Sequence, residues 1–167
     1  TGFSFPQERV IVNLSPADIK KEGTHFDLPI ALGILTAGQK IRMKRAWKDE
    51  DSAFLGELAL DGSLVRIRGM LPLLVDLRAA GVKNFFIPSQ NLKEAEVVSD
   101  ITIFPAKHLR DVTEHISGGR QIEAKIGGEY YSAGDFLSDG AEAADLVTFE
   151  PITAELSLQY STESREG

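Results

Sequence analysis

Along the first two thirds of the chain, short β-branched or aromatic runs alternate with stretches whose apolar residues follow helical spacing. Arg9-Val10-Ile11-Val12-Asn13-Leu14 has the composition of a buried strand, and Ser15-Pro16-Ala17-Asp18 behind it is turn chemistry. Residues 28–35, Leu-Pro-Ile-Ala-Leu-Gly-Ile-Leu, read as a central helix apolar on nearly all sides. Pro29 fits its first turn, where a missing N–H leaves nothing unpaired, and either Thr24 or Asp27 can supply the N-cap oxygen. Residues 54–60 and 64–67 flank Asp61-Gly62, a dipeptide suited to the positive φ angles of a tight hairpin. From 69 to 80, Met70, Leu71, Leu73, Leu74 and Leu77 keep helical spacing and Gly81 is a natural C-terminal stop. A strand at 85–88, a polar-faced helix at 91–98, a strand at 101–104 and a helix at 109–116 complete an alternation that predicts an α/β fold with some parallel pairing.

Gly118-Gly119 closes this pattern, so the chain divides into an expected domain at 1–119 and an appendage at 120–167 with little core of its own. Charge supports the division. Residues 1–119 hold 15 Lys and Arg against 15 Asp and Glu, whereas 120–167 hold 3 against 10. A neutral body has no global attraction for nucleic acid, so any such binding requires a local patch. With 43% hydrophobic residues, 167 residues suffice for one real core. The absence of cysteine excludes disulfides and thiolate metal sites and suits a cytoplasmic setting. No run reaches the ~18 apolar residues of a membrane span.

The local patch best equipped for nucleic acid is residues 40–48, where Lys40, Arg42, Lys44, Arg45 and Lys48 surround Trp47, which is capable of stacking. Asp49-Glu50-Asp51 follows at once and can neutralise part of its field. Ser15, Thr24 and Ser63 are hydroxyls with Lys20 and Lys21 as conceivable bases, but each reads more simply as turn or cap chemistry. His25 reads as a loop or capping residue. His108 and His115, seven residues apart on one predicted helix, lack the converging donors of a metal site. Arg66 and Arg68 can bind an acidic partner, and Glu57 can pair with either. Gly127-Gly128 is a turn, and no Gly-x-x-x-x-Gly-Lys-Ser/Thr loop is present.

Two linked segments carry a resemblance. Phe5-Pro6, the run from Val10 to Asp18, Lys21-Glu22-Gly23 and residues 26–35 form the first; Leu55-Gly56-Glu57-Leu58 with Asp61-Gly62 forms the second. In this order and approximate spacing, residues 1–117 resemble the Lon-like N-terminal domain of the competence ComM/YifB family of magnesium-chelatase-like AAA+ proteins, a relative of the Lon protease domain. The resemblance implies a Lon-like fold of the ribosomal-protein-S5-domain-2 type, with further strands expected ahead of Phe3. It places His25 where the Lon serine would stand and Leu73, beside Leu71, near the lysine, so that the catalytic dyad is degenerate. It also implies a non-catalytic accessory role within an AAA+ ATPase that uses ATP and magnesium in another module of the same polypeptide. That parent is expected to be a homo-oligomer linked to DNA branch migration in natural transformation. Two rivals stay open: a Lon-like protease with a relocated nucleophile, and a module that binds nucleic acid directly.

Overall fold

A computed structural model describes residues 13–14, 26–44, 47, 51–128 and 156–157. Its centre is a four-stranded sheet of β2 (Ser52–Phe54), β5 (Asn84–Pro88), β6 (Thr102–Ala106) and β7 (Lys125–Ile126), in that spatial order. The first three strands run parallel, with Phe86 beside Phe54 and Phe104, and β7 closes the edge antiparallel to β6. Strand side chains alternate between faces. Phe86 and Phe104 therefore point one way, while Phe85, Ile87 and Ile103 point the other, and each set meets a different pair of helices.

On the Phe86 face lie α1 (Asp27–Ala37) and α4 (Leu109–Ser117), which contribute Leu28, Leu32, Leu35, Leu109, Val112 and Ile116. On the Phe85 face lie α2 (Met70–Ala79) and the short α3 (Leu92–Ala95), which contribute Met70, Leu74 and Ala95. Helices on both faces explain why β5 is apolar at consecutive positions: Phe85, Phe86 and Ile87 are all fully buried. Burying each such side chain contributes roughly 1.5–3 kcal/mol. The mixed α/β architecture is the one that the alternation of elements predicts.

Between β2 and α2 runs a hairpin of β3 (Glu57–Leu58) and β4 (Leu64–Val65). Its turn has three residues rather than a two-residue tight loop. Ala59 N–H donates to Ser63 O, Gly62 alone takes a positive φ of 91°, and the Asp61 carboxylate accepts from Ser63 N–H. Gly56 lies at the root of the hairpin, where an added Cβ would collide with the Leu64 side chain and come within 3.2 Å of Leu28 Cβ. That close approach lets Gly56 O accept from Leu28 N–H at 2.9 Å and docks α1 on the hairpin.

Three local expectations change. First, α1 has Phe26 at its N-cap and no side-chain cap; the Asp27 carboxylate instead accepts from Leu58 N–H at 3.2 Å, and Thr24 lies outside the described residues. Second, the helix expected at 91–98 is only Leu92–Ala95, preceded by a 3-10 turn at Ser89–Asn91. It stops early because Gly128 N–H takes the Glu96 carbonyl at 2.7 Å and Val98 turns into the core. Third, the sheet does not end at Gly118-Gly119. The chain continues into β7, and Gly127 packs so tightly on Val98 O that no side chain fits there.

Beyond these, β1 (Asn13–Leu14) pairs antiparallel with β8 (Leu156–Ser157), Asn13 beside Ser157 and Leu14 beside Leu156. The remaining predicted strand residues 9–12, the 15–25 segment with Ser15, Lys20, Lys21 and His25, and residues 129–155 lie outside the described residues.

Candidate functional site

Leu73, the residue expected near the Lon lysine position, lies on α2. Leu71 and Leu73 are both half-buried there and pack against the cluster of Leu55, Ile67, Met70, Leu74 and Phe85. Neither offers a proton acceptor. The start of α2 is also closed to chemistry of another kind. Its N-cap, Gly69, sits in the left-handed region at φ 72° and supplies no side-chain cap. The first-turn donor Leu71 N–H is met instead by Glu94 Oε1 from α3 at 3.1 Å, a carboxylate at the positive end of the helix dipole.

Glu94 belongs to a network that sequence reading missed. Asn91, fully buried, accepts from Ile67 N–H through Oδ1 at 3.0 Å and donates through Nδ2 to Ile67 O at 2.8 Å and to Glu94 Oε2 at 3.1 Å. Next to it, Gln90 Oε1 accepts from Arg66 N–H at 3.0 Å, and the Arg66 guanidinium lies 3.7 Å from Glu94. Three side chains, Gln90, Asn91 and Glu94, thus fix the backbone from Arg66 to Leu71. The available signal was Asn91-x-x-Glu94, the spacing of a capping box. In the structure, however, the pair serves the helix that precedes it.

Residues 40–44 leave α1 through bends at Lys40 and Ile41, whose N–H groups both return to Leu35 O, and they alternate in exposure. Lys40, Arg42 and Lys44 face solvent, while Ile41 and Met43 pack against the core. Three of the predicted cations are thus exposed on one short segment. Lys44 has a second role: its N–H donates to Ile116 O at 2.9 Å, and its side chain lies against Gly118 at the C-terminus of α4, where a cation is favourable. Trp47 turns inward. Its ring meets Phe86 and Phe104 edge-on at 5.3 and 5.4 Å and His115 at 4.9 Å, capping the stack formed by Phe54, Phe86 and Phe104. The side expected to stack on bases is used for packing. Arg45 and Lys48 lie outside the described residues.

Each of the two described histidines accepts a backbone N–H through Nδ1. His108 caps α4: Nδ1 accepts from Arg110 N–H at 3.0 Å, so the proton sits on Nε2, which donates to Asp61 O at 2.9 Å. Asp111 completes a capping box by accepting from His108 N–H. His115 is buried among the aromatic rings and accepts from Ile122 N–H at 2.9 Å, and burial holds its pKa below the usual imidazole value. Among the carboxylates, the Ser63 backbone N–H holds Asp61 below its ordinary range, and Lys125 does the same for Glu123. No three metal-ligating side chains converge among the described residues, and no described helix is long and apolar enough to cross a membrane.

A parallel-centred sheet with a hairpin leading into α2 is the framework of a Lon-like α/β domain, and sequence comparisons agree. Over 117 residues the chain is 29% identical to Lon protease 2 of Syntrophobacter fumaroxidans, which covers 68% of this chain and 13% of that protein. The family described as subunit ChlI of Mg-chelatase matches residues 1–91. Competence protein ComM of Haemophilus influenzae is 38% identical over 120 residues, 72% of this chain and 23% of that protein. Protein YifB of Salmonella typhimurium is 32% identical over 126 residues, 75% of this chain and 24% of that protein. The chain belongs to the ComM/YifB family of magnesium-chelatase-like AAA+ proteins, within its Lon-like N-terminal region. It spans about a quarter of the length of these two relatives.

Proposed function

We propose that this chain is a non-catalytic accessory domain of an AAA+ ATPase, helping to assemble the ring or guide its substrate. The observation that carries this reading is the α2 entrance. In a Lon-like framework, the helix that should present a lysine presents Leu71 and Leu73 to the core, and Glu94 satisfies the donor at its start. A serine-lysine dyad needs a hydroxyl to attack and a partly neutral amine to take its proton. His25 could accept a proton but carries no hydroxyl. ATP and magnesium belong to another module of the parent, because these 167 residues contain no Gly-x-x-x-x-Gly-Lys-Ser/Thr loop to hold a nucleotide's phosphates. The likeness to a competence protein supports a link of the parent to natural transformation, with DNA branch migration as the proposed activity.

The test is direct. The chain should neither label with a serine or threonine hydrolase probe nor cleave an unfolded protein. Cleavage abolished by changing Ser15, Thr24, His25, Lys20 or Lys21 would overturn the accessory reading and favour a protease with a relocated nucleophile.

A second reading, direct contact with nucleic acid, is favoured by the row of Lys40, Arg42 and Lys44. All three are exposed within five residues, so neighbouring phosphates of one strand can be met together. Replacing Lys40 and Arg42 with Gln should weaken binding to single-stranded DNA and flatten its salt slope by roughly 0.7 per lost phosphate contact. An unchanged slope would remove this row from the binding surface.

A further inference from the structure

Leu60, Val75 and Ile126 are the large apolar residues left exposed among the described residues, and the first two mark surfaces that fit one another. The first is the hairpin tip. Leu60 is fully exposed, yet its loop is firmly held. Ala59 N–H donates to Ser63 O, Gly62 N–H to Ala59 O and Ser63 N–H to Asp61 Oδ1, at 2.8–2.9 Å. From outside the hairpin, Leu109 N–H donates to Gly62 O and His108 Nε2 to Asp61 O, both at 2.9 Å. A leucine on a loop fixed in this way is presented rather than frayed, and little ordering remains to oppose its burial by a partner.

The second is the outer side of α2. Met70 and Leu74 fill the core, whereas Pro72, Val75 and Ala79 are exposed at spacings of three and four, a stripe on one face. Among the ten residues of α2 only Asp76 and Arg78 are charged, and Arg78 is engaged with Asp100 at 2.7 Å. The helix is therefore apolar on both its inner and outer sides. An amphipathic surface helix would be polar on the outer side.

We propose that these two surfaces meet between copies: the Leu60 tip of one chain seats on the Pro72–Val75–Ala79 stripe of a second copy, with Asp61 of the first facing Arg68 of the second. A single chain cannot close this contact on itself. The tip is bonded to the start of α4 on the Phe86 side of the sheet, and α2 covers the Phe85 side. Charge selects the same occupant. Asp61 is an exposed carboxylate beside the knob, and exposed Arg68 stands one residue before the Gly69 cap of α2, with no ion pair among the described residues. An exposed pair of this kind sets register more than affinity. Tip on stripe is a head-to-tail contact, which generates a ring when its rotation closes. It is smaller than the roughly 1,000 Å² of a lasting interface, so in the isolated chain it is weak, and tethering in a ring supplies the effective concentration. The inference deepens the ring-assembly part of the accessory reading, which gives it its setting. A failed contact would leave the hydrolase test of that reading unaffected.

Because the chain has no cysteine, the contact can be trapped. Leu60→Cys and Val75→Cys chains, carrying tags of different size, are mixed and oxidised with diamide. Leu60→Cys paired with Ile126→Cys, another exposed apolar position, serves as control. Circular dichroism melts establish that each variant is folded. The expected result is a 60–75 heterodimer several-fold above both homodimers and the 60–126 control. In the Leu60→Cys chain, adding Asp61→Asn keeps the acceptor for Ser63 N–H while removing the charge, and should lower that yield. A 60–75 yield no higher than the control overturns the contact; a yield unchanged by Asp61→Asn overturns the Asp61–Arg68 register.

Discussion

Helices α2 and α4 are almost equal in length and cover opposite faces of the same sheet, but they are completed by different means. α4 carries its own instructions. His108 and Asp111 cap its start, Gly118 ends it at φ 87°, and Leu109, Val112, Thr113, His115 and Ile116 form one buried side. α2 depends on residues more than twenty positions away. Glu94 meets its first-turn N–H, Asn91 holds the Ile67 backbone ahead of it, and its outer side remains apolar. One helix has both its caps in its own sequence, with the hairpin turn adding the bond from Leu109 N–H to Gly62 O. The other is finished by tertiary contacts on the inside and, by the inference above, by a second copy on the outside.

The strongest way to break this comparison is to damage each helix at its own support. Ile116 is fully buried where α4 meets Phe86 and Phe104, so Ile116→Ala should destabilise the chain by about 2–5 kcal/mol, the range for a cavity that collapses only partly. Asn91→Ala is next. It removes three hydrogen bonds at a buried position and strands the Ile67 N–H and C=O, for a loss of about 2–3 kcal/mol at ~1–1.5 per group, the lower part of the range for an orphaned polar group. Urea unfolding of both variants gives the ranking. A near-neutral Asn91→Ala would mean that water takes over its bonds and that α2 is less dependent on distant residues than argued.

The same contrast governs what could be read from the chain. The hairpin, α2 and α4 were legible because periodicity and glycine placement are local signals: Gly62, Gly81 and Gly118 all take positive φ. The network of Asn91 and Glu94 was not, since its spacing is visible but its partners lie on β4 and α2. Trp47 is instructive in another way. Ile41, Met43 and Trp47 share one phase of a two-residue period, and Lys40, Arg42 and Lys44 share the other. Counting charges made the segment look like a binding loop with an aromatic platform. The exposure of residues 40–44 follows that phase, whereas Trp47 is turned inward by the 3-10 turn in which its N–H donates to Lys44 O. Of the candidate site, the apolar character of Leu71 and Leu73 was plain, whereas the polar closure of the α2 start was not.

A smaller effect separates the faces by pH. His115 belongs to the α4 face, and burial lowers its pKa in the folded chain, so the unfolded chain binds its proton more readily. Stability from this group is fully present above the ordinary imidazole value of about 6.5 and is lost as pH falls below it. Protonation must also occupy Nδ1, which breaks the bond from Ile122 N–H and loosens the approach to β7. Asp61 and Glu123, both lowered, act in the same direction but only near the carboxylate range, about pH 4. Melting temperature should therefore drop between pH 7 and pH 5 in the natural chain and change less over that window in His115→Phe. Equal slopes in the two proteins would rule out His115 as the source.

The smallest expected effect is at Val75. Its side chain lies 46% exposed on the outer stripe of α2, away from the Met70 and Leu74 positions that hold the helix to the sheet. Replacing it with Ser removes apolar surface of which the single chain buries only about half, so the unfolding free energy should move by no more than about 1 kcal/mol. Ser is a somewhat weaker helix former than the straight-chain residues but close to Val, and propensity adds little to the balance. Contact between copies should respond more than stability does, with Val75→Ser lowering the amount of dimer captured at high concentration by a lysine-reactive cross-linker. The comparison is sharpened if association falls while stability stays within that bound. If stability falls by as much as it does in Asn91→Ala, Val75 is supporting the fold from within one chain, and α2 is finished on both sides by tertiary contacts alone.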